Sequence, residues 1–478
     1  MCGMPNPGQR YDAVVVGSGP NGLAAAITLA RAGRSVLVVE GQDEPGGGAR
    51  SANLTLPGFT HDLFSAVHPL ALESVFFQSL PLAEHGLEWI YSPAVLAHPL
   101  DHGGAAILHR SVDETAAGLG RDRGAYRRGI GGLLADWPYF KSEFLRPIRF
   151  PRHSLRLAKF GLPALLPASA LAKLAFRDEP ARALFGGIAA HSTLSLGAPG
   201  GSAFGLALLL AGHNVGWPFP RGGAGAISQA LLSYFRSLGG EIVTGTPVEN
   251  LEQLPSARAV LFDLGPQQVG RIARRELNPS FFDSLVKFPR APGVFKLDWA
   301  LHGPIPWTNP EVARAATVHV GGTLEELAAS ERCPGRGEVS GRPYVLLVQP
   351  SLFDPTRAPD GNHTAWAYCH LPNGSTVDMT ARMEAQIERF APGFRDLILA
   401  RHVLAPADLE RRNANLAGGD ISGGSVRLPY LFLRPTARLY RTSRRDLFIC
   451  SASTPPGSGV HGLCGYYAAN EALATCLR

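Results

Sequence analysis

Small and apolar residues crowd the start of the chain in a fixed rhythm. A β-branched run at 13–16 breaks at Gly17-Ser18-Gly19-Pro20-Asn21-Gly22. A small, apolar stretch follows at 23–32 and stops at Gly33, and a second β-branched run at 35–39 ends on Glu40. This pattern predicts strand, glycine turn, helix, strand and acid. From 76 to about 215 it predicts helical segments broken by short Pro and Gly interruptions. No charge occurs between Arg182 and Arg221, but only 203–211 is continuously apolar. A membrane span needs about twenty apolar residues, so a buried helix is expected there.

Beyond 215 the period changes again. Residues 216–223 predict a rigid turn, 226–238 a helix, and 241–244 and 259–263 short strands. At 295–301, Phe295, Leu297, Trp299 and Leu301 alternate with Lys296, Asp298 and Ala300. That spacing predicts a half-buried strand with Lys296 and Asp298 on the solvent face. Strands are expected at 344–348 and 364–370, joined through the turn-rich 350–362, and a helical stretch from Thr376. The chain closes with a strand at 447–450, a Gly/Pro loop and a helix from Gly465. No internal repeat appears.

Composition narrows the class. The 478 residues are 45% hydrophobic and 18% charged, which excludes a disordered, collagen-like or disulfide-scaffold chain. The length predicts two structural units. A net charge of +6, carried mostly by Arg, permits nucleic acid or an anionic membrane as partner and demands neither. The six cysteines are scattered with no CxxC, so a zinc ribbon or redox disulfide has no support, and their sparse use fits a reducing compartment. Residues 1–10 carry no apolar signal segment. The expected location is the cytoplasm, peripheral to a membrane if lipid is involved. The sequons at Asn53, Asn362 and Asn373 are then chance matches.

The glycines define a nucleotide site. Gly17 permits the tight turn, Gly19 lets phosphates approach the backbone, and Gly22 lets helix and sheet pack closely. The helix N-terminus offers its N–H groups to a pyrophosphate. Glu40 stands where a carboxylate accepts from a ribose diol, which disfavours NADP. A second cluster, Gly46-Gly47-Gly48 with Arg50, adds another close backbone approach and a cation for the pyrophosphate. A transiently docked NAD seldom needs this, whereas a buried FAD does. The C-terminal Gly457-Ser458-Gly459-Val460-His461-Gly462 also matches the glycine pattern, but only sixteen residues follow it, too few for a second βαβ unit. Its expected role is to aim N–H groups at a flavin.

At this point the chain resembles a family. VVVGSGPNGLAAAITLARAGRSVLVVE, PGGGARS and LPGFTHDLFSAVHP are similar to the start of phytoene-desaturase-type flavoproteins. The likeness continues in GWPFPRGGAGAI, WAYCHLPNGSTVDM and STPPGSGVHGLCGYYAA. The nearest branch includes animal proteins named after a pyridine-nucleotide–disulfide oxidoreductase domain. The resemblance implies that Gly17, Ser18, Gly19, Pro20, Asn21, Gly22, Glu40 and Gly41 surround the ADP half of FAD, with Gly47, Gly48 and Arg50 along the pyrophosphate. It implies Val248 at the adenine, and Gly459, Val460 and His461 near the isoalloxazine. The chain departs from amine-oxidase relatives in having Gly48 where they carry Arg. Residues 249–257 are shorter than the usual connecting strands, and Ser458 replaces a common third glycine.

The expected architecture is α/β: a discontinuous Rossmann-like FAD-binding domain (1–75, 215–290, 420–478) with a second α+β substrate domain (76–214, 291–419) of antiparallel sheet plus helices. Catalytic residues are not legible. His461 is a weak candidate from its place in the flavin loop, and His68 and His213 are weaker. Cys464 is expected to be a packed residue, and no metal site is visible. The expected activity is FAD-dependent desaturation, saturation or isomerisation of a lipophilic, polyene or isoprenoid-like molecule. The alternatives are amine oxidation, or a flavin-bound interaction protein without turnover. No nucleic-acid module is recognisable, and the sequence is silent on oligomeric state. Residues 144–177 combine Arg146, Arg149, Arg152, Arg156, Lys159, Lys173 and Arg177 with many apolar residues. They are expected to dock on an anionic membrane, although Pro147, Pro151, Pro163 and Pro167 break any long amphipathic helix.

Overall fold

The parallel half of the molecule begins with the strand Tyr11–Val16 at the centre of a five-stranded sheet, ordered Leu447–Ile449, Ala257–Phe262, Tyr11–Val16, Val36–Val39, Glu241–Val243. The computed structural model describes residues 9–147, 154–428, 430 and 433–478, without the side chain of Leu155. Both faces of this sheet are covered, which is why its strands read as unbroken apolar runs. Ala13 and Val15 pack beneath the helices Pro20–Arg31, Gly225–Ser237 and Leu463–Thr475. Val14 and Val16 meet Val269, Phe281 and Leu285 of the helices Pro266–Ile272 and Pro279–Val286 on the other face.

The glycine-turn helix starts at Pro20, three residues before the predicted start, because a proline at the first helical position needs no partner for its missing N–H. The closing helix packs directly on it: a Cβ on Gly465 would fall 1.8 Å from the Asn21 carbonyl oxygen.

The second sheet has seven strands in the order Ile398–Leu404, Gly293–Leu301, His363–Leu371, Val345–Val348, Ala315–Val320, Ala94–Pro99, Ala105–Leu108. All pairs are antiparallel except Ala315–Val320 with Ala94–Pro99. Two expectations are corrected here. The stretch from 76 to 215 is not only helical, since it supplies the strands Ala94–Pro99 and Ala105–Leu108. After Thr376 a single helix, Thr380–Glu388, gives way to the strand Ile398–Leu404.

A third correction bears on function. The strand Gly293–Leu301 is buried along its whole length, and Lys296 and Asp298 are 2% and 0% exposed. The alternation is real: Phe295, Leu297, Trp299 and Leu301 enter one core with Met383, Ile387 and Phe394. The opposite face is covered as well, by the hairpin strand Thr60–Asp62 and by a large cavity, so its polar residues never reach water.

Helices between 112 and 215 form the remaining layer. Gly201–Val215 is buried on nearly every side, as expected, with Gly205 seated against Ala189 and Phe185 of Glu179–Ala190. In the 144–177 segment, the helices Ser154–Leu165 and Ala168–Ala175 meet at 111°. Arg149, Arg152, Ile148, Phe150 and Pro151 lie outside the described residues. Arg146 pairs with Glu143, Arg156 and Lys159 with Asp136, and Lys173 with Glu325. Among the described residues no single helix is long and apolar enough to cross a membrane.

Candidate functional site

A cavity of about 1130 Å³ opens at the carboxyl ends of the parallel strands, where Tyr11–Val16 has neighbours reached by chain in opposite directions. Open α/β sheets place ligands at that switch point, and the volume exceeds the usual 300–1,000 Å³ of a small-molecule site. Gly17, Ser18, Gly19, Pro20, Asn21, Glu40, Gly41, Gly47, Gly48, Arg50, Val248, Gly459, Val460 and His461 all line it. Gly22 does not; a Cβ there would lie 2.1 Å from the Gly17 carbonyl oxygen, so it serves the close packing of turn and helix.

Glu40 follows the strand Val36–Val39 and is nearly buried. One of its carboxylate oxygens accepts from the Ser18 N–H at 2.8 Å and the Ser18 hydroxyl at 2.6 Å, and the other from the Gln42 N–H at 2.9 Å. It therefore braces the glycine turn while lining the cavity. The second glycine cluster reaches the first: Gly47, at φ +52°, lies so near that its Cβ would stand 2.6 Å from the Gly19 Cα. Arg50 is held by the carbonyls of Gly47 and Arg412 and stacks over Phe64.

Asp263 was missed by sequence reasoning. It ends Ala257–Phe262 as Glu40 ends Val36–Val39, and the repeated order of strand, acid and glycine (Phe262-Asp263-Leu264-Gly265) was a usable signal. Its Oδ2 accepts from the Gly22 N–H at 3.0 Å, at the N-terminus of the glycine-turn helix. Burial pushes this carboxyl up to about 8, with Glu40 adding to the rise and the N–H groups of Gly22 and Gly19 opposing it. At neutral pH it is largely an uncharged acid, compatible with a diphosphate beside it. Asn21 adds a buried Oδ1 in the same corner, with no partner among the described residues. The donor-rich turn, the close glycine approach and the neutral acid fit the pyrophosphate of a dinucleotide.

The C-terminal loop also lines the cavity, beside the glycine-turn helix. Both ring nitrogens of His461 are committed within it: Nδ1 accepts from the Leu463 N–H at 3.0 Å, and Nε2 donates to the Gly457 carbonyl at 3.2 Å. Burial holds the ring down to about 4. His461 is thus a clamp on the loop and has no nitrogen free for acid–base work. Cys464 donates to the carbonyls of Thr454 and Gly457, and burial pushes its thiol up to about 11, as suits a packed residue. His213 lies outside the cavity, bonded to the Tyr126 hydroxyl and the Arg110 carbonyl. His68 lines the cavity and is buried, its ring pushed down to about 4. Arg434, another residue the sequence did not flag, is buried in the wall and donates to the carbonyls of Ser422, Gly423 and Ser453.

The far half of the cavity is built from the second sheet and the helical layer. Lys296 projects into it from Gly293–Leu301, bonded to Asp298, with its ammonium 5.5 Å from the Trp366 ring centroid. Burial lowers Lys296 and raises Asp298 to about 6, each partly countered by the other's charge. Trp366 meets Tyr368 edge-on, and Phe140, Phe160, Phe204 and Leu208 close the apolar wall.

Residues 15–71 match the family described as an NAD(P)-binding Rossmann-like domain. The chain is 27% identical to mouse pyridine nucleotide-disulfide oxidoreductase domain-containing protein 2, over 96% of this chain and 93% of that protein. It is 25% identical to a lycopene-forming phytoene desaturase of Pantoea ananas, over 96% of this chain and 98% of that enzyme. The chain is thus similar over nearly its whole length to phytoene desaturases and to related FAD-dependent oxidoreductases. The fold of this oxidoreductase is also that of putrescine oxidase solved with putrescine, with a TM-score of 0.63 at 16% identity, covering 98% of this chain and 99% of that one. Its cofactor is FAD, which supplies a two-electron acceptor and donor when bound. The glycine turn, Glu40 and the Gly47 approach are the residues that would hold its adenosine diphosphate half.

Proposed function

We propose that the chain desaturates, saturates or isomerises a lipophilic, polyene or isoprenoid-like molecule that lies in the apolar half of the cavity. The observation that carries this reading is the composition of that wall, where aromatic and aliphatic side chains from five separated stretches converge beyond the nucleotide corner. Such a substrate asks the protein for orientation and exclusion of water more than for a strong base, in keeping with the commitment of His461 to its loop. Amine oxidation is the rival activity. The face of Trp366 is already occupied by the Lys296 ammonium, which would repel a cationic amine from that ring. The test is anaerobic mixing of the FAD-loaded protein with isoprenoid polyenes in detergent, and separately with putrescine, following the flavin absorbance. Bleaching by a polyene and not by the amine supports the reading; bleaching by putrescine alone overturns it.

The same reading assigns the entrance. The helix Ser154–Leu165 turns Leu157, Phe160, Ala164 and Leu165 to the cavity, while Leu162 and Leu174 stand 70% and 78% exposed. This wall is proposed to dock on a bilayer and collect the substrate there. Because Arg156, Lys159 and Lys173 already have acidic partners, apolar insertion carries the docking more than charge. Co-sedimentation with neutral and anionic vesicles at low and high salt is the test. Binding that survives salt and is lost in Leu162→Glu/Leu174→Glu supports it, and binding unchanged in that variant refutes it.

A further inference from the structure

The cavity wall contains a third histidine besides His68 and His461. His191 follows Glu179–Ala190, lines the cavity, and stacks edge-on to Trp217 with ring centroids 5.2 Å apart. Its Nε2 lies 2.9 Å from Nε2 of His319, a residue of Ala315–Val320 that is completely buried. One proton joins these two nitrogens, and the surroundings decide which ring owns it.

His98 sits beside them, and its Nε2 donates to the Gly322 carbonyl at 2.7 Å, so its Nδ1 is a bare lone pair. The Nδ1 atoms of His98 and His319 both point at Gly187, each 2.9 Å from where its Cβ would stand, and neither has a partner among the described residues. If His319 carried its proton on Nδ1, that N–H would be a buried donor with no acceptor, the costlier kind of orphan. The network therefore assigns the proton to His319 Nε2, donating to His191 Nε2. His191 must then carry its own proton on Nδ1. Among the described residues that atom has no hydrogen-bond partner and, unlike Nδ1 of His98 and His319, it is not closed over. Burial holds His191 down to about 3 and His319 well below the ordinary histidine value, so both rings stay neutral.

We propose that His191, fixed in its tautomer by His319, presents an N–H donor to the apolar half of the cavity, and that the natural substrate carries a carbonyl or hydroxyl oxygen that docks there. This rests on the reading of the cavity as a lipophilic site and narrows it to an oxygen-bearing apolar molecule. A neutral imidazole locked in this way positions its ligand. It does not exchange a proton with it.

The test uses the FAD-loaded protein and two matched probes: geranylacetone, an isoprenoid ketone, and the hydrocarbon made by replacing its carbonyl with a methylene. Binding is read from tryptophan fluorescence, since Trp217 adjoins His191. The ketone should bind about 2- to 12-fold more tightly, the range of one net neutral hydrogen bond. His191→Phe should abolish that preference while leaving hydrocarbon affinity within about twofold. His319→Phe, which leaves the donor but not its anchor, should reduce the preference. Nitrogen NMR of the unaltered protein should show His191 with its proton on Nδ1. Equal affinity for the two probes, a preference that survives His191→Phe, or a proton on His191 Nε2 would each overturn the assignment and leave the lipophilic reading standing. Failure of both probes to bind would overturn the two together.

Discussion

Asp263→Asn is the substitution that most directly probes the nucleotide corner. The carboxyl sits at the N-terminus of the glycine-turn helix, accepting from the Gly22 N–H at 3.0 Å, and burial raises it to about 8. At pH 7 about nine molecules in ten hold it neutral, and at pH 9 about one in eleven does. A diphosphate beside it favours the neutral form, so apparent FAD affinity is full below pH 8 and is lost as pH rises through it. For binding that requires the protonated acid, the dissociation constant scales as one plus the ratio of ionised to neutral forms, which gives about a tenfold weakening from pH 7 to pH 9. The same shift makes folding of the cofactor-free chain take up a proton between the unfolded value and 8, so its stability declines as pH rises across that window. In the Asn variant the side-chain oxygen still accepts from Gly22 but cannot ionise, and affinity should be flat. Titration of apoprotein with FAD at fixed ionic strength, read by flavin fluorescence, makes the measurement. A flat profile in the unaltered protein, or an equal slope in the variant, would refute the reasoning.

Gly47→Ala should weaken FAD retention at least about tenfold, because the left-handed φ costs about 1–2 kcal/mol and its Cβ meets the Gly19 backbone. Gly48→Ala, with an ordinary φ and no protein atom near its Cβ, should leave apoprotein stability in urea unfolding unchanged while Gly47→Ala lowers it, and equal apoprotein stabilities of the two would reject the close approach. Asp298→Ala should cost about 3–5 kcal/mol in urea unfolding by stranding a buried ammonium, while Lys296→Met/Asp298→Leu should recover most of it. A loss under about 1 kcal/mol in the single variant would contradict a buried pair. Glu40→Ala removes the acceptor of three turn donors and should lower FAD affinity about ten- to a hundredfold with circular dichroism unchanged; unaltered affinity would place Glu40 outside the site.

The nucleotide corner was legible because its determinants are local. Gly17 to Glu40 is one contiguous strand–turn–helix–strand unit, and each spacing has a backbone reason. The far half of the cavity is assembled from residues near 64, 140–208, 294–296, 346–368 and 409–434, and no sequence period joins those stretches. The alternation at Gly293–Leu301 correctly separated two faces, but what covers the second face is decided by the Thr60–Asp62 hairpin more than two hundred residues upstream. Hence Lys296 and Asp298 read as solvent-facing when they are an interior ion pair. Ala94–Pro99 and Ala105–Leu108 escaped notice because their alanines are poor strand formers, and tertiary pairing overrides that preference. Similarly, His461 was placed in the right loop, but only the observed bonds to Gly457 and Leu463 reveal that both its nitrogens are spent.

The central claim is that this fold is built around FAD. Purified protein should be yellow and release about one FAD per chain on denaturation, and stripped apoprotein should regain the same stoichiometry when FAD is added. Protein that remains colourless after reconstitution with FAD, yet binds NAD, would contradict the account.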